Sequence, residues 1–398
     1  MKTQTQIAAI DFGTSKIVTV VAQSGGLSRC DIVGSGTVPY AGFSNGFWNE
    51  EHYVLDTVRE SITAAELEAN TKIHEIYVGV PGAFVHVMCG EAEYELPEAG
   101  PITEDAINMV QDMVADKLHI GSDGGYVLHR SPAWFSIDDG KKTMVPIGSH
   151  GSRIRACVSF IVADPEFIED AKMFMGAMGI TILGFLAPVL GQGILLLSLE
   201  ERDRVAALVD VGYLNTEISV FEGDAIVYHA ILPEGSGFIT GDLMQKLRLT
   251  TEEAEQIKRA YLFNPDEFDQ DDFYEVYDEN GRRIAFPRAN VARVVEAQMN
   301  ELCAAIDKTF KSDAMRFFGP RSQVYLTGGG ITLMRGGREY LADKLGRPVK
   351  VPVAKTAKLG SPVYASALGL VSLIFDSIEK QEGEEPAGLF KKIAGMFK

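Results

Sequence analysis

The stretch "AAIDFGTSKIVTVV" (residues 8–21) breaks an apolar run in an unusual way. The run ends at Asp11 and turns at Gly13, and it resumes only after two hydroxyls and an ammonium group, those of Thr14, Ser15 and Lys16. A plain hairpin turn could use the glycine but has no need of the other groups. Glycine lets backbone N–H groups approach phosphate oxygens, and a lysine adds a point charge for them. The stretch therefore predicts a phosphate-binding β-hairpin.

A similar pattern returns 199 positions later. Residues 204–229, "RVAALVDVGYLNTEISVFEGDAIVYH", again run from a strand through Asp210 and Gly212 to a turn and a second strand. Two such units predict an internal duplication, with one hairpin in each of two domains.

A third glycine cluster, Thr327-Gly328-Gly329-Gly330, lies in "VYLTGGGITLMRG" (324–336), between a predicted strand and a predicted helix. Such a turn directs backbone N–H groups at a bound anion. A single Asp-x-Gly turn is common in ordinary hairpins, but the three sites together favour a nucleotide site. We expect Asp11 and Asp210 to hold a hydrated Mg²⁺ through water, with no direct protein ligand to the metal.

Composition excludes several classes of protein. The chain has 398 residues and a net charge of −18, so its surface would repel nucleic-acid phosphates. The N-terminus lacks the apolar core of a signal peptide, and the richest apolar stretch, residues 184–199, is too short to span a bilayer. We therefore expect a cytoplasmic protein. Its four cysteines lack metal-site spacing and are expected to be free thiols, at Cys30, Cys89, Cys157 and Cys303.

The order of these three loops resembles that of the actin/Hsp70/sugar-kinase superfamily. Within it, the chain is most similar to the FtsA family of bacterial cell-division actins. "DFGTSKI" matches that family's first phosphate loop, and "TTEEAEQIKR" its adenosine-side helix. "VYLTGGGITLMRG" and "SPVYASALGL" match its last strand–helix pair. The likeness covers essentially the whole chain.

The resemblance implies an α/β fold, namely an actin-like two-domain ATPase fold with duplicated mixed β-sheets and helices. A small inserted α+β subdomain would replace the usual actin insertion. The implied units are the first-domain core (1–82 and 164–190), the inserted subdomain (83–163), the second domain (191–376, with 234–318 as its outer subdomain), a flexible linker (377–388) and an amphipathic helix (389–398).

The resemblance also implies ATP and Mg²⁺ as cofactors. The implied phosphate-binding residues are Asp11, Gly13, Thr14, Ser15, Lys16, Asp210, Gly212, Asn215 and Thr216. The implied adenosine-side residues are Glu255, Lys258, Gly328, Gly329 and Gly330. The second loop departs from the family pattern, because Tyr213 and Leu214 replace glycines and Asn215 replaces a threonine. A bulky side chain there either points away from the site or obstructs it.

Hydrolysis of ATP is expected to be slow or absent. Related enzymes place a carboxylate near the segment that connects the domains, where it orients water or accepts a proton. Residues 182–199 contain no acid, and Gln192 is the only long polar side chain among them.

The last ten residues, "LFKKIAGMFK" (389–398), predict an amphipathic helix that lies in a membrane interface. Lys391 and Lys392 lie opposite its apolar arc, and a polar linker precedes it. The alternative is a helix that docks on the protein's own core. The apolar arc comprises Leu389, Phe390, Ile393, Met396 and Phe397.

By resemblance, the protein binds ATP, assembles into filaments and tethers the tubulin-like protein FtsZ to the cytoplasmic face of the membrane at the division septum. The expected partners are the FtsZ C-terminal peptide, with Glu296 and Met299 as candidate contacts, further copies of the chain, an anionic membrane, and other division proteins through residues 83–163. Nucleic acid is not an expected partner. The alternatives are a type IV pilus-assembly actin-like adaptor and a small-molecule kinase of the same superfamily.

Overall fold

A computed structural model of the chain describes residues 5–25, 30–44, 46–122, 124–263, 273–277, 281–315, 317–354, 356 and 358–382. The predicted membrane helix (389–398) and residues 383–388 of the predicted linker lie outside the described residues, as does most of the acidic stretch 265–279. No helix within the described part of the chain combines the length and the apolar character needed to cross a membrane.

The described residues contain seventeen strands, and most of them belong to two five-stranded sheets. In chain order the strands are β1 (Gln6–Phe12), β2 (Lys16–Ser24), β3 (Cys30–Pro39), β4 (Phe43–Ser44), β5 (Phe47–Trp48), β6 (Glu75–Gly79), β7 (Val85–Pro101), β8 (Tyr126–Ile137), β9 (His150–Ala163), β10 (Thr181–Leu186), β11 (Ala206–Val211), β12 (Thr216–Glu222), β13 (Ala225–Leu232), β14 (Phe273–Tyr277), β15 (Arg283–Pro287), β16 (Gln323–Thr327) and β17 (Val349–Lys350).

Ten α-helices accompany these strands in the described ranges. They are α1 (Glu51–Ala69), α2 (Glu104–Lys117), α3 (Pro165–Gly176), α4 (Pro188–Leu196), α5 (Leu199–Asp203), α6 (Ser236–Leu247), α7 (Thr251–Ala260), α8 (Arg288–Phe310), α9 (Gly337–Leu345) and α10 (Ala365–Glu382).

The two large sheets have the same topology, which confirms the predicted duplication. The first sheet has the order β10-β6-β1-β2-β3 and the second has the order β13-β12-β11-β16-β17. In each, the opening strand pairs with an antiparallel hairpin partner on one side and a parallel strand on the other. Helices cover both faces of such a sheet, so its central strands read as continuous apolar runs. This is why residues 7–12 are all buried.

A three-stranded antiparallel sheet, β7-β9-β8, forms the inserted module. Helix α2 packs on one face of this three-stranded sheet. Strand β13 of the second large sheet also packs against the three-stranded sheet. The sequence "TEDAINMVQDMVADKL" (103–118) predicts a helix with Thr103 as its N-cap. The structure confirms this, since the Thr103 hydroxyl accepts a hydrogen bond from the Ala106 backbone N–H at 3.3 Å. The packing against β13 makes the module part of the compact core of the molecule.

Two predicted elements differ from the structure. The apolar spacing of residues 237–262 predicts a single helical stretch. The structure has two helices there, because Arg248 adopts a left-handed conformation after α6 and Thr250 caps α7. Residues 377–382, expected in the linker, continue α10. Ile378 packs against the first core, which favours extension of the helix.

An aromatic cluster links the first hairpin to the inserted module. Trp48 lies 5.7 Å from the ring of Phe12, at the end of β1, and 5.6 Å from the ring of Phe84, just before β7. Its indole N–H donates to Asp170 on α3 at 2.8 Å. Phe167 completes the contact, with its ring 5.6 Å from that of Phe12. The first loop is therefore fixed by rings from three elements.

Candidate functional site

The two predicted phosphate loops have the same backbone geometry. In the first hairpin, Phe12 pairs with Ile17, and the Gly13 N–H donates to the Lys16 carbonyl at 3.0 Å. In the second, the Gly212 N–H donates to the Asn215 carbonyl at 2.9 Å, inside the pair Val211–Thr216. Both turns therefore have four residues, so Lys16 corresponds to Asn215, and Val18 corresponds to Glu217.

The two loops touch each other across the cleft between the sheets. The hydroxyl oxygen of Thr14 accepts hydrogen bonds from the backbone N–H groups of Tyr213, at 3.3 Å, and Leu214, at 3.2 Å. Both distances are long for such bonds, which indicates weak contacts. These N–H groups point at the position where a phosphate oxygen would compete with the threonine.

The third loop follows β16, which is parallel to β11. Gly328 has φ +79°, and a Cβ atom there would lie 2.1 Å from a carboxylate oxygen of Asp210. The Gly330 N–H donates to the Val211 carbonyl at 2.8 Å. Glycine is required at 328 by both the backbone conformation and the close approach. The three loops are thus in direct contact.

Two aspartates lie at equivalent positions behind the loops. Asp11 accepts a hydrogen bond from the Ser366 hydroxyl at 2.7 Å, and Asp210 accepts one from the Gln192 amide at 2.6 Å. Burial raises the pKa of Asp11 to about 6, and the charge of Asp210 adds to that rise. Burial also raises the pKa of Asp210 and lowers that of Lys16, whose ammonium lies 4.5 Å from the Tyr364 ring.

A third carboxyl group, that of Glu217, lines the same cleft and was not predicted as a site residue. Burial raises its pKa to about 8, and the charges of Asp210 and Asp11 contribute. One of its carboxylate oxygens lies 3.3 Å from His229 Nε2 and makes no hydrogen bond within the described part of the chain. The signal was present in the sequence: Glu217 lies one position beyond Thr216, on the other face of the same strand.

Two of the predicted adenosine-side residues, Glu255 and Lys258, belong to a closed hydrogen-bond network. The Lys258 ammonium donates to the Thr240 hydroxyl at 2.9 Å, to the Ser236 carbonyl at 3.3 Å and to Glu255 at 2.5 Å. The Tyr213 ring covers this ammonium at 5.1 Å. Its ring needs Gly237 beneath it, because a Cβ there would lie 2.8 Å from ring atom Cε1. Tyr213 therefore packs onto the adenosine side, and the three hydrogens of Lys258 have protein acceptors.

The loops enclose a cleft of about 420 Å³. That volume is within the range of small-molecule sites. Thirteen of the fourteen predicted nucleotide residues line the cleft, and Thr216 does not. Thr216 is fully buried on the opposite face of β12, where its hydroxyl donates to the Glu234 carbonyl at 2.7 Å. Among the described residues, no group of three or more His, Cys, Asp or Glu side chains is arranged to hold a metal directly.

The candidate FtsZ contacts lie on α8, away from the cleft. Met299 is fully buried in the second core. It therefore offers no surface to a peptide in this conformation. Glu296 is half-buried and accepts a hydrogen bond from the Tyr261 hydroxyl at 2.8 Å. Sequence spacing identified the apolar stripe of α8 but could not show that Met299 is covered by the rest of the domain.

Comparison with solved structures defines the class of protein. A PilM–PilN type IV pilus biogenesis complex superposes with a TM-score of 0.63 and 16% identity, covering 93% of this chain and 98% of that chain. MreB 5 of Spiroplasma citri bound to AMPPNP superposes with a TM-score of 0.55 and 10% identity, covering 94% of this chain and 97% of that chain. The chain has the actin-like α/β fold, as predicted.

Sequence comparison finds similarity to one family of proteins. The family model described as "Cell division protein FtsA" matches residues 207–369. The "Cell division protein FtsA" of Pseudomonas aeruginosa is 25% identical, over 92% of this chain and 88% of that protein. That of Bacillus subtilis is 24% identical, over 91% and 82%. The chain is therefore similar to FtsA cell-division proteins over about nine-tenths of its length.

Proposed function

We propose that this protein binds Mg·ATP in the cleft, assembles into actin-like filaments and holds FtsZ at the cytoplasmic face of the membrane during cell division. The observation that carries the proposal is the meeting of three phosphate-type loops at one cleft. The similarity to FtsA proteins supports a role in division. The AMPPNP-bound MreB 5 structure, with the same fold, supports a nucleotide as the ligand.

The residues of the cleft fit a nucleotide with its metal. Backbone N–H groups of the glycine loops and the Lys16 ammonium would bind phosphate oxygens. The carboxylates of Asp11 and Asp210 would repel a bare polyanion, so the proposal requires Mg²⁺, which neutralises phosphate charge when bound. Asp11 and Asp210 would hold it through water.

Hydrolysis is at most slow in this proposal. Glu217 supplies the carboxyl group that residues 182–199 lack, but with a pKa of about 8 it is mostly protonated at neutral pH. A protonated carboxyl group cannot accept a proton from water. We expect phosphate release well below about 1 s⁻¹, the low end of common enzyme rates.

Calorimetric titration with Mg·ATP tests the nucleotide site. Gly329→Trp places an indole in the cleft and is expected to weaken binding by at least about 100-fold, or 2.7 kcal/mol. Leu67→Trp adds the same side chain on α1, where Leu67 is 77% exposed, and should bind as the wild type does. Equal binding by the wild type and Gly329→Trp would show that the nucleotide site lies elsewhere.

Membrane attachment rests on the apolar arc of residues 389–398 and on three lysines that would face anionic lipid. Phe390→Glu with Phe397→Glu should release the full chain from anionic vesicles in a sedimentation assay. A control with Leu67→Glu and Leu199→Glu adds two equal charges at exposed positions and should still sediment. If the double phenylalanine variant sediments, or if its thermal midpoint falls by many degrees, the helix docks on the core instead.

FtsZ recruitment separates the proposal from its alternatives. A division adaptor should carry FtsZ with it onto the vesicles, whereas a pilus adaptor or a small-molecule kinase should not. Glu296→Ala tests the remaining candidate contact on α8. The same sedimentation assay with FtsZ added measures recruitment for the wild type and for this variant. A wild type that sediments alone but leaves FtsZ in solution would contradict the tethering role.

A further inference from the structure

Two cysteines of the inserted module lie against each other. Cys89 is on β7 and Cys157 is on β9, and their sulfur atoms are 3.4 Å apart. The strand register pairs Cys89 with Ser159 and Glu91 with Cys157. Side chains alternate along a strand, so Cys157 and Ser159 project from the same face, and the two cysteines are diagonal neighbours on it. A disulfide would bring the sulfurs about 1.4 Å closer, to about 2.05 Å, and between diagonal neighbours it also requires a small shift of the strands.

The pair lies in the seam between the inserted sheet and the second sheet. Cys157 is buried with Trp134 and with Ala225 of β13, and Cys89 packs at the edge of this cluster. The neighbouring Ser159 hydroxyl donates to the Ile226 carbonyl of β13 at 2.6 Å. Cys89 is half-buried, so a small reagent can reach it, whereas Cys157 is reached only through its neighbour.

The hydrogen bond between the thiols shifts their pKa values in opposite directions. Either sulfur can be the donor of this hydrogen bond, and the bond lowers the pKa of Cys89 and raises that of Cys157. Burial and the charges of Glu222 and Glu91 oppose the first effect. Each of these glutamates has an ion-pair partner, Lys142 for Glu222 and Arg155 for Glu91. Cys89 is therefore the thiol that ionises first and reacts first.

We propose that Cys89 and Cys157 are a reversible dithiol–disulfide site for peroxides. The Cys89 thiolate attacks one peroxide oxygen, which breaks the O–O bond and gives a sulfenic acid, and hydroxide leaves. The Cys157 sulfur then attacks the sulfenic sulfur, its proton leaves with the hydroxyl group as water, and the S–S bond forms. Two thiols and one hydrogen peroxide thus give one disulfide and two waters. A dithiol reductant restores both thiols by exchange.

The disulfide would close a loop between positions 68 residues apart and fix β7 to β9. It would do so at the surface on which β13 rests. In a reducing cytoplasm the site would be a dithiol, and the bond would form only during exposure to an oxidant. The proposal depends on neither nucleotide binding nor membrane attachment.

The test measures thiols on the full chain, folded and treated with hydrogen peroxide. After treatment, denaturation and alkylation with N-ethylmaleimide, mass spectrometry should find Cys89 and Cys157 joined in one peptide pair and not alkylated. Cys30 and Cys303 should react at least about tenfold more slowly than Cys89. Dithiothreitol should restore alkylation at both positions.

Two variants distinguish the roles of the thiols. Cys157→Ser should stop at a sulfenic acid on Cys89, which dimedone labels. Cys89→Ser should leave Cys157 unoxidised at the same peroxide dose. Circular dichroism on each variant verifies folding, and the wild-type result stands without them. The proposal is overturned if the wild-type pair remains alkylatable after Cys30 has been oxidised, or if the disulfide found joins two chains.

Discussion

The two loop hairpins share one backbone but differ in side-chain chemistry. Each has a four-residue turn closed by a glycine N–H, at Gly13 and Gly212, and each follows an aspartate. The first turn carries two hydroxyls and an ammonium group, whereas the second carries an aromatic ring, an aliphatic chain and an amide. Backbone donors are set by the turn, so a duplicated loop can keep its geometry while its side chains take other roles.

Because of this difference, the two halves of the molecule contribute different chemical groups to the cleft. The first loop supplies the cation, Lys16, and the second half supplies an extra carboxyl group, Glu217, where the first has Val18. The ring of Tyr213 is used for packing on Lys258. Pairs of substitutions at corresponding or closely similar positions test whether the two halves differ in this way.

The largest expected effect concerns the matched pair Lys16 and Asn215. Lys16→Met should weaken Mg·ATP binding by about 100-fold, because a charged donor to phosphate contributes about 1.5–3 kcal/mol. Asn215→Ala should weaken binding by no more than about threefold, because a neutral amide contributes less. Calorimetry measures both constants. Equal losses would mean that the two loops bind phosphate alike and that the comparison fails.

The second effect concerns the stability of the protein as a function of pH. Glu217→Gln should raise the free energy of unfolding at pH 8, because the variant has no carboxylate to desolvate. The Glu217 pKa is about 8 in the fold against 4.5 for the free side chain, so the unfolded state ionises first as pH rises. The wild type therefore loses stability between these values, and the variant does not.

Urea denaturation at pH 5, 6.5 and 8 measures that difference. The gain should be small at pH 5 and grow toward pH 8. Asp203→Asn, at an exposed position on α5, is the control for removal of a carboxylate from the surface. A gain that is independent of pH would show that the fold does not raise the pKa of Glu217.

The third effect concerns the ring in the second loop. Tyr213→Ala should lower the free energy of unfolding by about 1–2 kcal/mol, since it removes a ring packed on Gly237 and on the Lys258 ammonium. Tyr213→Phe keeps the ring and should cost much less. Urea denaturation compares the two. If the phenylalanine variant is as unstable as the alanine variant, the hydroxyl group provides the stabilisation.

The smallest effect concerns the contact between the loops. Thr14→Val removes the acceptor of two backbone N–H groups and should cost about 1 kcal/mol, because both bonds are long. Thr14→Ser keeps the hydroxyl group and should be nearly neutral. Thermal denaturation without nucleotide measures both. A valine variant as stable as the serine variant would mean that the two loops are held together by other contacts.

Local sequence patterns predicted the elements that depend on local physics. The hairpins, the duplication, the Thr103 cap and the apolar face of α8 follow from turn chemistry and periodicity. The glycine loops were predictable because few residues tolerate the backbone of Gly328. A family resemblance then ordered these elements into an actin-like fold, which the structural neighbours confirm.

Properties that depend on which side chains meet across domains could not be predicted. Thr216 was assigned to the site because it follows the second loop. Side chains alternate between the two faces of a strand, however, and that of Thr216 lies on the core face of β12. Glu217 was overlooked because its raised pKa comes from burial and from the charges of Asp210 and of Asp11, which is 206 residues away. The closed hydrogen-bond network of Lys258 likewise depends on α6, a separate helix.

The positions of the two tryptophans have an optical consequence. Trp48 stacks beside Phe12, directly before the first loop, and Trp134 lies in the seam between Lys142, 4.4 Å from its ring, and Arg155, at 5.5 Å. The chain has no other tryptophan. Replacing either one with phenylalanine leaves a single emitter, so intrinsic fluorescence can follow the first loop and the seam separately, without an attached dye.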